Sequence, residues 1–333
     1  MANAISKIGI VGGGAWGTAL GLVSVRAGLS AQIWARETET VAAINDEHRN
    51  PFLDGVELDP ALTATSTLAE VTKADAILLA VPAQNMRTVC TALAAYLVPG
   101  TPTVICTKGI EQTTGSLMSE VVAEILPDAV LAVLSGPTLA VEVAQGLPTA
   151  VTLACRDADW GAELASALGT PQFRPYMSTD LIGVQISGAV KNVLAIACGI
   201  VSGLEIGEDG RAAIITRGMA ELMRLGRKMG AEADTLMGLS GLGDLVLTCT
   251  TDQSRNQSLG VSLGRGKTLA EVLEARTSVA EGVFTAAAVM TLASELSIEL
   301  PICGAVNAIV NQEADIGEVV HSLLSRPFRT EIG

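Results

Sequence analysis

Two rhythms of apolar residues divide the chain. Up to residue 180, short apolar runs rich in β-branched side chains fall at 5–11, 31–35, 75–82, 103–107, 129–134, 149–154 and 172–176. Runs of that length, bounded by turn residues, read as strands buried on both faces. Between them, 15–27, 84–97, 116–126, 135–144 and 159–168 read as helices. Such alternation predicts a doubly wound parallel sheet. Past Ser178-Thr179-Asp180, which offer helix N-caps, the strand rhythm stops. A long helix beginning near 181 is followed by helices at 211–229, 268–274, 284–296 and 304–311. The expected fold class is α/β: an N-terminal sheet domain over residues 1–180, then an all-α domain over 181–333.

The long helix holds an anomaly. Lys191 is the only charged residue between Asp180 and Glu205, in a segment apolar on nearly every side. A helix of that kind is buried all round, and its uninterrupted apolar part, 193–201, is too short to span a bilayer. An ammonium left unpaired there costs several kcal/mol. It must therefore reach water, pair with a carboxylate or line a functional cleft.

The first strand runs into Gly12-Gly13-Gly14-Ala15-Trp16-Gly17, a G-x-G-x-x-G pattern at Gly12, Gly14 and Gly17. Between a strand and a helix this pattern marks a Rossmann-like dinucleotide site. The first glycine makes the turn, the second admits a pyrophosphate and the third lets the helix pack close, its N-terminal N–H groups facing the phosphates. The second strand ends at Arg36-Glu37. An acidic residue there suits NAD(H), and an arginine suits the 2′-phosphate of NADP(H). Arg36 comes first, so NADP(H) is the preferred cofactor expected, with NAD(H) also accepted. Pro82, Lys108 and 136–138 lie at other strand ends, where ligands of such sheets sit. Gly241-Leu242-Gly243-Asp244 and Ser254-Arg255-Asn256 read as polar loops between helices.

Composition narrows the partners. Net charge is −14, with no basic run, which argues against nucleic acid or an anionic membrane surface. A small anionic substrate would need basic residues gathered locally. The stretch 8–25 is uncharged but contains six glycines clustered at its middle, so it reads as strand, turn and helix and not as a signal or membrane segment. Six cysteines without C-x-x-C spacing read as reduced core thiols of a cytosolic protein. Two histidines, His48 and His321, pair with no cysteines, so no metal site is expected.

Several spaced stretches carry a resemblance: GGGAWGTAL at 12–20, LSGPTLAVEV at 134–143, GAVKN at 188–192, LSGLGDLVLTCT at 239–250, QSRNQSLG at 253–260 and VAEGV at 279–283. With KGIE at 108–111, ITRGMAEL at 215–222 and ELPI at 299–302, the chain closely resembles the bacterial glycerol-3-phosphate dehydrogenase [NAD(P)+] family from about Lys7 to Val310. The resemblance implies a cytoplasmic enzyme that interconverts sn-glycerol 3-phosphate and dihydroxyacetone phosphate and supplies the glycerol phosphate of phospholipids. It implies Lys191 as general acid/base. Substrate contacts would be Lys108, Gly136, Thr138, Lys191, Asp244, Ser254, Arg255 and Asn256. Cofactor contacts would be Gly12, Gly14, Ala15, Trp16, Gly17, Arg36, Lys108, Ala140, Arg255, Val279 and Glu281. A small molecule is the partner expected, and a homodimer is a second expectation. Ala15 stands where the family often has serine, leaving only backbone contact there. Asp209 and Gln185-Ile186-Ser187 also depart from the usual pattern, away from the acid/base set. Two other readings stay open: an NADP-dependent reductase of 3-oxo acids, which could use Arg255 on a carboxylate, and a non-catalytic cofactor sensor.

Overall fold

The computed structural model describes residues 5–274, 280–327 and 330. Eight strands form one sheet: β1 (Lys7–Val11), β2 (Ser30–Trp34), β3 (Leu62–Thr65), β4 (Ala76–Leu79), β5 (Pro102–Ile105), β6 (Val130–Ser135), β7 (Thr149–Cys155) and β8 (Phe173–Ser178). Their spatial order is β3-β2-β1-β4-β5-β6-β7-β8. The order reverses between β1 and β4, the switch point at which such sheets bind dinucleotides. Interleaved are α1 (Ala15–Arg26), α2 (Thr38–Glu47), α3 (Leu68–Val71), α4 (Met86–Leu93), α5 (Met118–Ile125), α6 (Ala140–Ala144) and α7 (Ala158–Leu168). Alternate strand residues feed two cores: Ile8, Ile10, Leu78 and Val104 on one face, Val11, Ile77, Leu79 and Ile105 on the other. That two-sided burial is why these strands are apolar without alternation.

The sheet is parallel except in one place. β7 runs antiparallel to β6, and β8 then follows β7 in parallel. β8 therefore ends at the edge opposite to the end of β6. The next helix starts from that far edge, capped by the Asp180 carboxylate, which accepts from the Gly183 N–H at 2.7 Å.

That helix is α8 (Leu181–Gly203), and it is the axis of the second half. Around it lie α9 (Glu208–Met229), α10 (Ala233–Met237), a π-helical turn at Leu239–Gly243, α11 (Asp244–Thr250), α12 (Arg255–Gly264), α13 (Leu269–Glu274), α14 (Glu281–Glu295), α15 (Pro301–Gln312) and α16 (Ile316–Leu324). At 23 residues α8 is long and apolar enough to cross a membrane, but its apolar window is buried inside the protein throughout. Two stretches expected to be loops are helix junctions instead. Asp244 opens α11, and Ser254 caps α12, its Oγ accepting from the Gln257 N–H at 3.2 Å. Glycine spacing masked the first and a short polar cluster the second, since both read as punctuation.

Glycines set how closely α8 and α12 approach. A Cβ on Gly199 would lie 2.0 Å from the Gln257 carbonyl oxygen, and one on Gly260 would lie 2.1 Å from that of Ile196. One turn on, Gly203 and Gly264 make the same exchange with Val261 and Ile200, at 2.4 and 2.5 Å. Backbone meets backbone along this seam, a small-residue packing that brings the start of α12 beside the middle of α8.

Candidate active site

Half-way along α8, Gly188 lies against the end of β6; an added Cβ there would sit 2.9 Å from Ser135 Oγ and 3.4 Å from Lys108 Cγ. The absence of that Cβ lets the Lys108 side chain pass between strand end and helix. Lys108 Nζ donates to Gly136 O at 2.9 Å, to Thr138 Oγ1 at 3.4 Å and to Asp244 Oδ2 at 2.7 Å. Lys191, one helical turn from Gly188, donates to the other carboxylate oxygen, Asp244 Oδ1, at 2.5 Å. Asp244 is 0% exposed and Lys191 is 5% exposed. One buried carboxylate thus bridges two ammonium groups, so the cluster carries a surplus positive charge when both are protonated.

Burial pushes the Lys191 ammonium down to a pKa of about 7. Asp244 opposes that shift and the nearby Lys108 charge reinforces it. A fourth residue completes the arrangement: Lys191 Nζ donates to Thr248 Oγ1 at 2.8 Å, and that hydroxyl donates to the Asp244 carbonyl at 2.6 Å. Thr248 went unnoticed in the sequence because its relation to Asp244 is an i, i+4 one, visible only once 244–250 is known to be helical.

Asn256 joins the cluster indirectly. Its Nδ2 donates to Asn192 Oδ1 at 3.0 Å, and its Oδ1 accepts from the Gly282 N–H at 3.0 Å. Asn192 in turn donates to the Lys108 carbonyl at 3.5 Å. The side chain expected to face substrate thus also ties α8, α12 and α14 together. Arg255 is exposed at the first position of α12. Its charge acts on Glu281 at the start of α14.

Glu281 has its own peculiarity. Its Oε1 accepts from the Ala83 N–H at 3.3 Å, while Oε2 is buried with no hydrogen-bond partner among the described residues. Burial pushes its carboxyl above the usual range, with the Ala83 bond and Arg255 opposing. Val279 lies outside the described residues.

At the switch point, Gly12 has φ +128° and no room for a side chain, since a Cβ would meet the Ala80 backbone at 2.8 Å. A Cβ on Gly17 would lie 2.0 Å from the Gly12 carbonyl oxygen. Gly14 differs: nothing lies within 4 Å of the Cβ it lacks, and as N-cap of α1 it offers no side-chain bond to the N–H groups behind it. Trp16 turns its Nε1–H onto the Cys106 carbonyl at 3.1 Å. Asn50, from a loop that gave no signal in the sequence, donates to the Gly13 carbonyl at 2.9 Å and to Thr18 Oγ1 at 2.7 Å. Ala140 opens α6. Arg36 is exposed and donates to Glu37 Oε1 at 2.9 and 2.6 Å through Nε and Nη2. The uncapped helix start, the empty space at Gly14 and the orphaned Glu281 oxygen fit a dinucleotide with phosphates at α1. No cluster of metal-ligating residues occurs among the described residues, and all six cysteines are free and buried.

Comparison with known proteins agrees along the whole length. The model of the NAD-dependent glycerol-3-phosphate dehydrogenase N-terminus matches residues 7–161, and that of the C-terminus matches 180–321. A glycerol-3-phosphate dehydrogenase [NAD(P)+] of Rhodospirillum rubrum is 57% identical, over 100% of this chain and 96% of its own. One from Parvibaculum lavamentivorans is 55% identical over 99% and 100%. The crystal structure of glycerol-3-phosphate dehydrogenase from Coxiella burnetii superposes with a TM-score of 0.93 at 39% identity, covering 97% of this chain and 99% of that one.

Proposed function

The chain belongs to the NAD-dependent glycerol-3-phosphate dehydrogenase family, and from that premise we infer that it interconverts sn-glycerol 3-phosphate and dihydroxyacetone phosphate with NAD(P)(H). A nicotinamide cofactor held at the β1–α1 turn would supply or accept the hydride. The protein's residues manage position, charge and the proton. As the ketone carbon is reduced, negative charge grows on its oxygen. The Lys191 ammonium donates a hydrogen bond to that oxygen and then its proton. In the reverse direction the neutral amine takes the proton from the hydroxyl. Asp244 holds the ammonium in place, and its second oxygen holds Lys108. Arg255, with its planar fork, is the phosphate anchor. Gly12 to Gly17, Trp16, Ala140 and Glu281 would hold the dinucleotide, with Arg36 favouring NADP(H). Physiologically the reaction serves cytoplasmic supply of glycerol phosphate for phospholipids.

The observation that carries this reading is the buried Lys191, held at a pKa of about 7 on a carboxylate shared with Lys108. A group poised near neutrality serves both directions of proton transfer. Reduction needs its protonated form, so kcat/KM falls as pH rises through about 7; oxidation needs the neutral form and gains over the same interval. NADPH oxidation should proceed with dihydroxyacetone phosphate and be negligible with a panel of 3-oxo acids. Preferential turnover of an oxo acid would replace this reading with the reductase alternative.

A further inference from the structure

The loop that carries Lys108 is gripped from behind. Past Lys108 it runs through Gly109 and Ile110 to Glu111, which is only 6% exposed. Gln84, in a single 3-10 turn just before α4, takes hold of the loop backbone at two points. Its Nε2 donates to the Ile110 carbonyl at 2.9 Å, and its Oε1 accepts from the Gln112 N–H at 2.9 Å. Three residues further, Arg87 on α4 sets its Nε and Nη2 on the two oxygens of Glu111, at 2.9 and 3.0 Å. Its Nη1 reaches Glu124 on α5 at 2.9 Å. Thr114 Oγ1 adds a 2.5 Å bond to Glu111. Arg87 holds the Glu111 carboxyl below its usual range, so the pair stays charged.

An ion pair whose arginine side chain is 34% exposed contributes little net stability, because water screens it. What a bidentate fork contributes is geometry, and only two residues separate this one from Lys108. The 3-10 turn that leads into α4 begins at Ala83, whose N–H meets Glu281. The Lys108 loop, this turn and the carboxylate on α14 meet directly: a Cβ on Gly109 would lie 2.5 Å from Ala83 Cβ and 3.4 Å from Glu281 Oε2.

We propose that Gln84 and Arg87 are positioning residues that hold Lys108 against Asp244 through the 110–112 backbone and Glu111. The inference rests on the acid/base reading above for its kinetic and pH readouts, and on loop geometry for the other. Two charged groups act on the Lys191 ammonium: Asp244 on α11 and Lys108 on the loop, with the Cys249 thiol of α11 nearby. Of the other elements around α8, α12 and α14 present Arg255 and Glu281, which act on each other, and α9 presents Glu221, turned to the Ile302 and Cys303 N–H groups of α15. Lys108 lowers the Lys191 pKa, so letting Lys108 drift from Asp244 moves the pH limb upward.

The experiment compares wild type with Arg87→Ala, Arg87→Lys and the milder Gln84→Ala, with Lys108→Met as reference. For Arg87→Ala, kcat/KM on dihydroxyacetone phosphate should fall about 10- to 100-fold, the range expected when a reacting group is misplaced. The limb near pH 7 should move up, as it should in Lys108→Met, and amide exchange at 108–112 should rise. Arg87→Lys should fall between, because a single ammonium cannot reproduce the fork. Gln84→Ala should show the same pattern more weakly, which keeps the test open if Arg87→Ala does not fold. A lowered Tm with kcat/KM, limb and exchange all at wild-type values would overturn the proposal. A wild-type profile flat around pH 7 would count against Lys191 as the titrating group, and loop exchange would then still decide the clamp.

Discussion

The two ends of the cleft are built on opposite plans. At the β1–α1 turn the backbone is left open: α1 starts without a side-chain cap, and the space beside Gly14 is empty. At the meeting of α8, α11 and α12 the charged and amide groups are paired, from Lys191, Asp244, Lys108 and Thr248 to the chain of Asn192, Asn256 and Gly282, while Ser187 Oγ, Ser240 Oγ and Gln257 Oε1 are buried without a partner among the described residues. Glycine serves both plans with contrary effect. Gly14 leaves open space, whereas Gly199 and Gly260 remove space between two helices. One end is prepared to receive charge from outside, and the other keeps its own charge fixed.

Substitutions at the two ends should therefore fail differently. The largest effect is expected at the closed end. Lys191→Ala should keep the fold and NADPH binding while turnover falls by about 10²–10⁴, the usual worth of a positioned proton donor. Near-normal turnover would make Lys191 structural and shift the role to Lys108. Next comes the seam. Gly199→Ala forces a methyl into the Gln257 carbonyl and should cost at least about 1–3 kcal/mol, seen as a lower Tm, with activity lost as Asn256 shifts. An unchanged Tm would mean that the helices can part without cost.

The open end should behave in the opposite way. Gly14→Ala meets no protein atom, so Tm should hold, while NADPH affinity falls by about tenfold or more, comparable to one hydrogen bond to a charged group. A loss of Tm equal to that of Gly199→Ala would erase the distinction between the ends. The smallest effect belongs to Arg36→Ala. Exposed ion pairs are weak, so NADPH should lose roughly 2- to 5-fold and NADH nothing. Equal losses for both cofactors would remove Arg36 from cofactor choice.

This contrast also explains what could be read from the sequence. The open end is local: strand, glycines and helix follow one another within twenty residues, and spacing alone reveals them. The division near residue 180 was legible because apolar rhythm changes there, and Lys191 stood out because nothing around it was polar. The closed end depends on meetings across 53 residues between Lys191 and Asp244 and 136 between Lys108 and Asp244. Only the family resemblance joined those positions, and it said nothing of Thr248, whose part depends on a helix the glycines disguised. It gave Asn256 to the substrate and said nothing of the bonds by which its amide also joins Asn192 and Gly282. The short β3 was missed because Leu62-Thr63-Ala64-Thr65 has too little apolar character to signal a strand.

The reversal of β7 and β8 has a consequence for how the chain can vary in length. Because α8 starts from the far edge of the sheet, Lys191 arrives at the cleft ten residues into a rigid rod. Each residue in that rod acts as a tooth on a gear. Adding or deleting one anywhere between Leu181 and Val190 would turn Lys191 by about 100° and slide it by about 1.5 Å. Asp244 and Thr248, fixed on another helix, could not follow. A chain that entered the cleft from the near edge could absorb such changes in a connecting loop. Here the length of the stretch from Asp180 to Lys191 is fixed by the meeting of Lys191 with Asp244 and Thr248, while the exposed tip at Asp54-Gly55, between the buried Leu53 and Val56, has room for an insertion.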